Sequence, residues 1–393
     1  MATATPHTHG GTTGTPDPNT TGPWGKFRNF RERNHLAFEV AFFFAGFLFD
    51  YLLLHRIDST PLLIHQGTYL VLLTGLLAID HRYFVAGKDP AGFWGKVLSF
   101  RHWVIHFFLG TLLNAFMIFY FKASSGVFSF VFILALAVVL VINELPRFRS
   151  LGPVLRVLLL SFSISSYLAY LLPVIGGSLH AWQYYLSVAV ASVTTVGLWK
   201  AFQRFTHDPN WTFRRAAAPG LIVQAVLALL YVLHVVPPVP LSLKYIGVFH
   251  EVSRVAEGEH AGAYRLAYVD APSVLPHFHL FDFNGTDFFA RPDDKAWAFI
   301  ILFAPSGFHD QVGFGWEYDD PKKGWVDVGT PFFTALKGGS EHGYHTFGNR
   351  TVARAGKYRV RVLTSDGREI GRKTFEVIAD ASTGERNFEE LYK

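Results

Sequence analysis

Long apolar segments dominate the first 236 residues of the chain. Seven of them approach the roughly 20 residues that a helix needs to cross a bilayer. They cover residues 36–54, 62–80, 102–121, 124–142, 153–173, 181–199 and 216–236. One such segment could be a buried helix of a soluble protein. Seven in series, at short spacing, predict an all-α seven-helix transmembrane bundle.

The pattern changes at the proline-rich segment VVPPVPLSLKY, residues 235–245. Beyond it, apolar and polar residues alternate in short runs separated by turn residues, which predicts half-buried strands. In the run VGFGWEY, for example, Val312, Phe314 and Trp316 fall on one face. Eight or nine such runs in about 140 residues favour a two-sheet antiparallel β-sandwich, immunoglobulin-like in plan. A closed barrel is the alternative.

These patterns divide the chain into five regions. They are a disordered tail with a basic flank (1–34), the transmembrane domain (35–236), a proline-rich linker (237–244), the β-sandwich domain (245–385) and a C-terminal tail (386–393). Pro237 and Pro238 end the seventh helix and favour a stiff, polyproline-like linker. A short stiff linker predicts that the sandwich contacts the first and third loops on its side of the bundle.

Lys and Arg give the bundle an orientation, because cytoplasmic connections are enriched in them. Fourteen lie in the N-terminal flank and in alternate connections: Lys26, Arg28, Arg31, Arg33, Arg82, Lys88, Lys96, Arg101, Arg147, Arg149, Lys200, Arg204, Arg214 and Arg215. The other connections hold two, Arg56 and Lys122. We therefore expect a cytoplasmic N-terminus and, after seven crossings, a periplasmic β domain.

Composition narrows the chemistry. The chain has no cysteine, which excludes disulfides, thiolate metal sites and a cysteine nucleophile. Its net charge of +5 comes from basic residues between apolar segments, so we expect a lipid bilayer as partner and no nucleic acid. Nucleophile elbows, phosphate loops and dinucleotide-binding motifs are missing from the sequence. We expect no cofactor.

Polar side chains inside a bilayer are costly and therefore mark candidate functional positions. Six of them are predicted at a similar depth near the inner side: Glu39, His102, His106, Asn143, Glu144 and Arg147. Asp50 lies nearer the outer side, on the same helix face as Glu39. His102 and His106 stand one helical turn apart, a spacing that allows two imidazoles to share a metal. A hydrogen-bond network between helices, including Glu144, is the interpretation that we favour.

A second polar group lies near the predicted outer face. Besides Asp50 it contains His55, Asp58, His65, His180 and His234. These side chains could bind a metal or accept protons if they converged. The alternative is that they anchor helix ends and dock the β domain.

Small hydroxyl residues suggest how the helices pack. Ser161, Ser163, Ser165, Ser166, Thr194 and Thr195 are typical of close helix–helix contacts, with Asn114, Arg156 and Gln224 as polar links.

Three stretches of the β domain resemble a known family. They are AFIILFAPSGFHDQVGFGWEY, TALKGGSEHGYHTF and GKYRVRVLTSDGREIGRKTFEV, the last with Asp366-Gly367 as a tight hairpin turn. They are similar to a bacterial C-terminal domain family of unknown function, number twenty-nine fourteen, which carries tryptophan where this chain has Tyr358. The likeness extends loosely upstream to the membrane segments and the linker. It implies a bacterial multi-helix inner-membrane protein with a C-terminal β domain, and it leaves the function open because the family has no established activity.

Three functions remain open. The first is a non-enzymatic binding, scaffold or sensor protein whose β-sandwich recognises an envelope protein or glycan. The second is an intramembrane transporter or channel that uses the acidic and histidine residues. The third is a membrane enzyme acting on a lipid-linked substrate at the outer face. The absence of catalytic motifs favours the first, without settling whether the protein is an enzyme.

Overall fold

The computed structural model describes residues 58–86, 93, 95, 98, 100–124, 130–138, 153–206, 208–269, 287–339 and 342–393. Five long apolar helices lie within them: α1 (Thr60–Ala86), α2 (Arg101–Lys122), α3 (Pro153–Gly176), α4 (Ala181–Gln203) and α5 (Pro209–Val232). Each is long and apolar enough to span a bilayer, so five of the seven predicted segments are confirmed. The first predicted segment lies outside the described residues, and the fourth is helical over 130–138.

Helix α5 contains a π-helical turn close to its start. Asp208 caps its start, with its side chain accepting from the backbone N–H groups of Asn210 and Trp211 at 2.9 and 3.2 Å. A π-helical turn, Phe213–Ala217, then precedes Pro219. A proline inside a helix has no N–H to donate and crowds the preceding turn, which is where such widened turns occur.

Helix α3 is the centre of the described bundle and packs against α1, α2, α4 and α5. Its buried face carries Ser161, Ser163, Ser165 and Ser166. Small side chains allow neighbouring backbones to approach closely in a membrane bundle. Gly220 of α5 shows how closely, because a Cβ there would lie 2.5 Å from Thr195 Cγ2 of α4.

Twelve strands follow the helices within the described residues. They are β1 (Ser242–Phe249), β2 (Glu251–Arg254), β3 (Tyr264–Tyr268), β4 (Asp287–Ala290), β5 (Lys295–Phe303), β6 (His309–Asp320), β7 (Gly324–Asp327), β8 (Phe332–Lys337), β9 (Tyr344–Thr351), β10 (Gly356–Thr364), β11 (Glu369–Ala379) and β12 (Glu389–Tyr392). β1 thus begins inside the predicted linker. β12 lies in the predicted C-terminal tail, so that part of the prediction was wrong.

The strands form three sheets. One has the order β1-β5-β9, a second the order β4-β11-β10-β6-β7 with β8 also on β6, and a third the order β12-β3-β2. All pairs are antiparallel except β4 with β11. The Asp366-Gly367 turn joins β10 to β11, as predicted, and Gly367 has a φ of +82°.

The first two sheets enclose the main core of the β region. Val312, Phe314 and Trp316 of β6 point into it, which confirms the predicted face. Strand β5 contributes Ile300 to this core and Phe299 to a second one. The second core is closed by the sheet β12-β3-β2. The sheet β1-β5-β9 therefore lies between the two cores and is buried on both faces.

The expected two-sheet arrangement is therefore incomplete. In β5, apolar residues occupy the positions facing either side, from Ala296 to Phe303. A strand covered on one face only would alternate with polar residues. The third sheet supplies the second cover.

Candidate functional site

The loop between β5 and β6 is fastened to the helical region, and we call this contact the junction. The backbone N–H of Ser306 donates to the Asp58 carboxylate at 2.9 Å, just before α1. The N–H of His309 donates to the carbonyl of Gly177 at 2.7 Å, just after α3. Asp58 lies in the first loop on this side of the bundle and Gly177 in the third. The predicted contacts with these two loops are therefore present.

A carboxylate and an apolar side chain complete the junction. The Asp310 carboxylate accepts from the N–H of Leu179 at 2.9 Å. The Leu179 side chain is buried in the main core of the β region, although it belongs to the α3–α4 loop. The helical and β regions therefore share one apolar core at this point.

Two glycines allow the loops of the junction to approach this closely. Gly177 and Gly307 have φ values of +67° and +75°, a backbone conformation that other residues adopt only under strain. A Cβ on Gly177 would lie 2.9 Å from the Gly307 carbonyl oxygen. Substitution at Gly177 would therefore strain its backbone and push the two loops apart.

The linker after α5 is a buried turn, so the prediction of a polyproline-like spacer was wrong. The N–H of Val239 donates to the carbonyl of Pro237 at 2.9 Å, and that of Leu241 to Pro238 at 3.1 Å. A polyproline helix contains no internal hydrogen bonds. All residues from Val236 to Leu241 are buried, with Leu241 in the main β core. Burial of the prolines thus favours a folded connection over an extended one.

The β10–β11 hairpin makes a second contact with the helices. Arg368 is buried, donates from Nε to the Asp366 carboxylate at 2.9 Å, and places its guanidinium 4.8 Å from the ring centre of Tyr231. Tyr231 ends α5 and stacks on Tyr184 at the start of α4, with ring centres 4.0 Å apart. A guanidinium over an aromatic ring is attracted to it, and more strongly so away from water.

These contacts show which helix ends lie next to the β region. The start of α1 and α4 and the end of α3 and α5 meet the β region, and we call this side of the bundle the β end. Lys122, the last residue of α2, is close enough to Lys244 of β1 for their two positive charges to repel each other. Helix α2 therefore also ends at the β end. The pKa of His345 in β9 is lowered by burial and, to a smaller extent, by its neighbours His342 and Lys244.

The opposite end of the bundle, the far end, holds a buried ion network. The carboxylate of Asp80 in α1 accepts from Arg101 Nε of α2 at 2.7 Å and from Arg156 Nη1 of α3 at 2.6 Å. Arg156 had been expected as a polar link between helices, and it is one. Asp80 was not identified from the sequence, and Arg101 had been assigned to a connection. Their signal was an acidic residue at the end of one apolar segment and a basic one at the start of the next.

His81, next to Asp80, is also buried at the far end. Its Nε2 lies 3.1 Å from the Thr206 hydroxyl, and its ring stacks on Phe202 with centres 3.8 Å apart. These contacts tie α1 to the end of α4. The sequence did not single out His81, since it follows the apolar segment directly and reads as part of a connection.

Hydroxyl and amide groups link α3, α4 and α5 at mid-depth. Gln224 Nε2 donates to the Ser161 carbonyl and lies within 2.9 Å of its hydroxyl, and Thr195 donates to the same hydroxyl at 3.1 Å. The predicted packing role is confirmed for these residues. Thr194 differs, because its hydroxyl donates to Val190 in its own helix.

The inner candidates are only partly visible. Glu39, Asp50, Asn143, Glu144 and Arg147 lie outside the described residues. His102 and His106 are both in α2, and His106 is half-buried. The proposed network with Glu144 therefore stays a prediction.

Of the outer candidates, Asp58 and His180 lie in the two loops that form the junction. Asp58 binds Ser306, and His180 caps α4 next to Leu179, with its N–H donating to Gln183 Oε1 at 2.8 Å. The remaining ones do not converge there. His65 is exposed and lies against Tyr69, His234 is exposed after α5, and His55 lies outside the described residues.

Within the part of the chain that the structure describes, no three histidine or acidic side chains are placed to hold a metal ion. Asp58 bonds the β region and His180 begins α4, which agrees with the alternative in which polar groups anchor helix ends and dock the β domain. The arrangement holds two regions together by backbone hydrogen bonds and burial.

Comparisons with known proteins give no family. No family model matches the chain, and no curated protein does. Among solved structures, a β-glucosidase involved in saponin metabolism from intestinal bacteria matches 34% of the chain at 14% identity, with a TM-score of 0.19. A β-glucosidase from Kluyveromyces marxianus matches 28% at 19% identity, with a TM-score of 0.17. The chain covers only 16% and 15% of these two proteins.

An alkylpurine DNA glycosylase from Pseudomonas fluorescens, bound to DNA containing an abasic site analogue, matches 83% of the chain and 99% of its own length. The identity is 12% and the TM-score 0.22. TM-scores this low do not establish a common fold.

Proposed function

We propose that this chain is a bacterial inner-membrane protein with seven spans, a cytoplasmic N-terminus and a periplasmic β domain that recognises an envelope protein or glycan. Its role is that of a non-enzymatic binding, scaffold or sensor protein. The helices anchor the β domain in the membrane and relay the binding of the partner. The observation that carries this is the junction. Backbone bonds at Ser306 and His309, together with the burial of Leu179, make the β region continuous with the helix ends.

The distribution of charge supports the orientation. The far end carries Arg82, Arg101, Arg156, Lys200, Arg204, Arg214 and Arg215 on or beside the described helices. At the β end the corresponding basic residue of a described helix is Lys122. Cytoplasmic ends are enriched in Lys and Arg, so the β end faces the periplasm in this proposal.

Helix order supports additional spans beyond the five described. Helix α2 ends at the β end, whereas α3 begins at the far end with Arg156 beside Arg101. This order supports a further crossing between Lys122 and Pro153 in the proposed topology. The helical residues 130–138 fall in this interval. The first apolar segment, 36–54, would complete the seven.

Sheet order supports an immunoglobulin-like plan for the main sandwich. The order β1-β5-β9 corresponds to strands A, B and E of that plan, and β11-β10-β6-β7 to G, F, C and C′. The sheet β12-β3-β2 is an addition to it. The resemblance to the domain family of unknown function belongs to the same proposal, because that family also places a β domain after several membrane helices.

Capture of a partner from native membranes tests the proposal. Full-length protein carrying a photo-crosslinker in the β region should retain an envelope protein or glycan. A variant lacking residues 242–393 should lose it, and Asp80→Asn, altered at the far end, should keep it. Loss in Asp80→Asn with retention after deletion of the β region would instead assign recognition to the helices. A reporter fused after Lys393 checks the orientation, since cytoplasmic activity there contradicts a periplasmic C-terminus.

A further inference from the structure

The last residues of the chain, 380–393, form a C-terminal strap across the β region. The strap leaves the end of β11 and finishes as β12, paired with β3. Tyr264 and Lys393 exchange two backbone hydrogen bonds, at 2.8 and 3.1 Å. The strap thereby joins the six-stranded sheet to the sheet β12-β3-β2.

Ion pairs hold the first half of the strap against the turn between β4 and β5. The Asp380 carboxylate accepts from Arg291 Nε at 2.9 Å and from Arg386 Nε at 3.2 Å. Arg386 also lies 2.7 Å from the Asp294 carboxylate. Hydrogen bonds from Ser382 and from the two arginines hold the pKa of Asp380 far below its usual value. Both carboxylates are therefore already engaged with arginine.

His250 lies beneath this part of the strap. Its ring stacks on Phe288 with centres 4.1 Å apart, and the ring of Phe388 in the strap lies 5.6 Å away. Its Nε2 is 3.0 Å from the carbonyl oxygen of Phe289. A carbonyl only accepts, so Nε2 carries the hydrogen of the neutral ring.

A second proton on this ring would have to go to Nδ1. That atom is buried and, among the residues that the structure describes, has no hydrogen-bond partner. Among the described residues, the charged groups that face the ring are Arg386 and Asp380 from the strap and Asp294 from the β4–β5 turn. Burial lowers the pKa of His250, and Arg386 lowers it further, against the opposing effect of the two carboxylates and the Phe289 carbonyl.

We propose that His250 makes attachment of the C-terminal strap sensitive to acid. Protonation at Nδ1 places a buried N–H donor where the described part of the chain offers no acceptor, so the ring moves out to water and the strap detaches. Attraction between an imidazolium and the Phe288 ring opposes this, but it is weaker than the cost of an unpaired buried charged donor.

The sign of the effect follows from proton linkage. A freed ring binds its proton near the ordinary pKa of 6.5, whereas the covered ring binds it only at lower pH. The detached form therefore holds more protons below that value. Attachment is complete above it and is lost as the pH falls, by at most about tenfold per pH unit for one proton.

Hydrogen exchange of the full-length protein in detergent micelles tests this between about pH 8 and about pH 5. After correction for intrinsic exchange, the protection of the Lys393 and Tyr264 amides should fall by up to about tenfold per pH unit below about 6.5. In His250→Gln, whose amide can still donate to Phe289, it should not change. His260→Gln is the matched control, because His260 stacks on Tyr392 of the strap at 4.2 Å and should leave the response intact.

Parallel loss of protection in the wild type and His250→Gln would overturn the proposal. So would a response abolished by His260→Gln. Should His250→Gln fail to fold, His250→Phe offers the same test, since a phenyl ring can stack on Phe288 without titrating.

Discussion

Replacing Leu179 with alanine should open the junction without unfolding the helices. Leu179 is 4% exposed and sits in the same core as Phe308 and Phe314, although it belongs to the loop between α3 and α4. Truncation removes three carbon atoms from that core and leaves a cavity. The β strands and the helices keep their own contacts, so the loss falls on the docked arrangement.

The size of the effect can be worked out from the buried carbons. At about 0.8 kcal/mol per buried methylene, three carbons amount to about 2.4 kcal/mol. The cavity raises the total to about 3–5 kcal/mol, as in other buried leucine-to-alanine changes. Even the transfer part alone shifts the docking equilibrium about fiftyfold towards the open form, at 1.4 kcal/mol per factor of ten.

Hydrogen exchange at the amides of Ser306 and His309 measures this, because both donate across the junction. Their protection should fall about fiftyfold or more in Leu179→Ala. Ile175→Ala is the matched control, since Ile175 is 73% exposed in the same segment and should change stability by less than about 0.5 kcal/mol. Equal protection in the two variants would refute the idea that Leu179 locks the regions together.

Two further variants test the bundle by thermal unfolding in detergent. Gly220→Leu should destabilise it by at least about 1–3 kcal/mol, because Thr195 leaves no room for a Cβ. Gly197→Ala, with nothing within 4 Å, should be neutral or stabilising by up to about 1 kcal/mol, and equal melting temperatures would contradict close packing at Gly220. Asp80→Ala should cost about 3–5 kcal/mol through loss of two buried ion pairs, and a loss below about 1 kcal/mol would show that the network is not structural.

The elements themselves were largely predictable. Five apolar segments of bilayer length became helices, and the alternating run from Val312 to Trp316 became the buried face of β6. Both patterns can be read locally, because a membrane helix is a continuous apolar segment and a strand buried on one face alternates between apolar and polar residues. The third sheet was missed, because an apolar strand such as β5 does not show what covers its second face.

The junction was predictable only in outline. Asp58 was singled out as an acidic residue near a helix end, but its partner is the backbone N–H of Ser306, 248 residues further on. A backbone donor has no side-chain signature, so no residue pattern could have identified it. The linker was misread for a related reason. Pro237 and Pro238 restrict φ but do not reveal that the surrounding core buries them.

Strand β6 sets the distance between the junction and the turn that follows the strand. It runs without a break from His309, bonded to Gly177, to Asp320, twelve residues and about 40 Å at the usual rise per residue. The turn that follows therefore stands one strand length away from the helix ends. A small tilt at its anchored base displaces that turn in proportion to the length of the strand. Because β7, β8 and β10 are paired with β6, such a tilt would move these strands together with it.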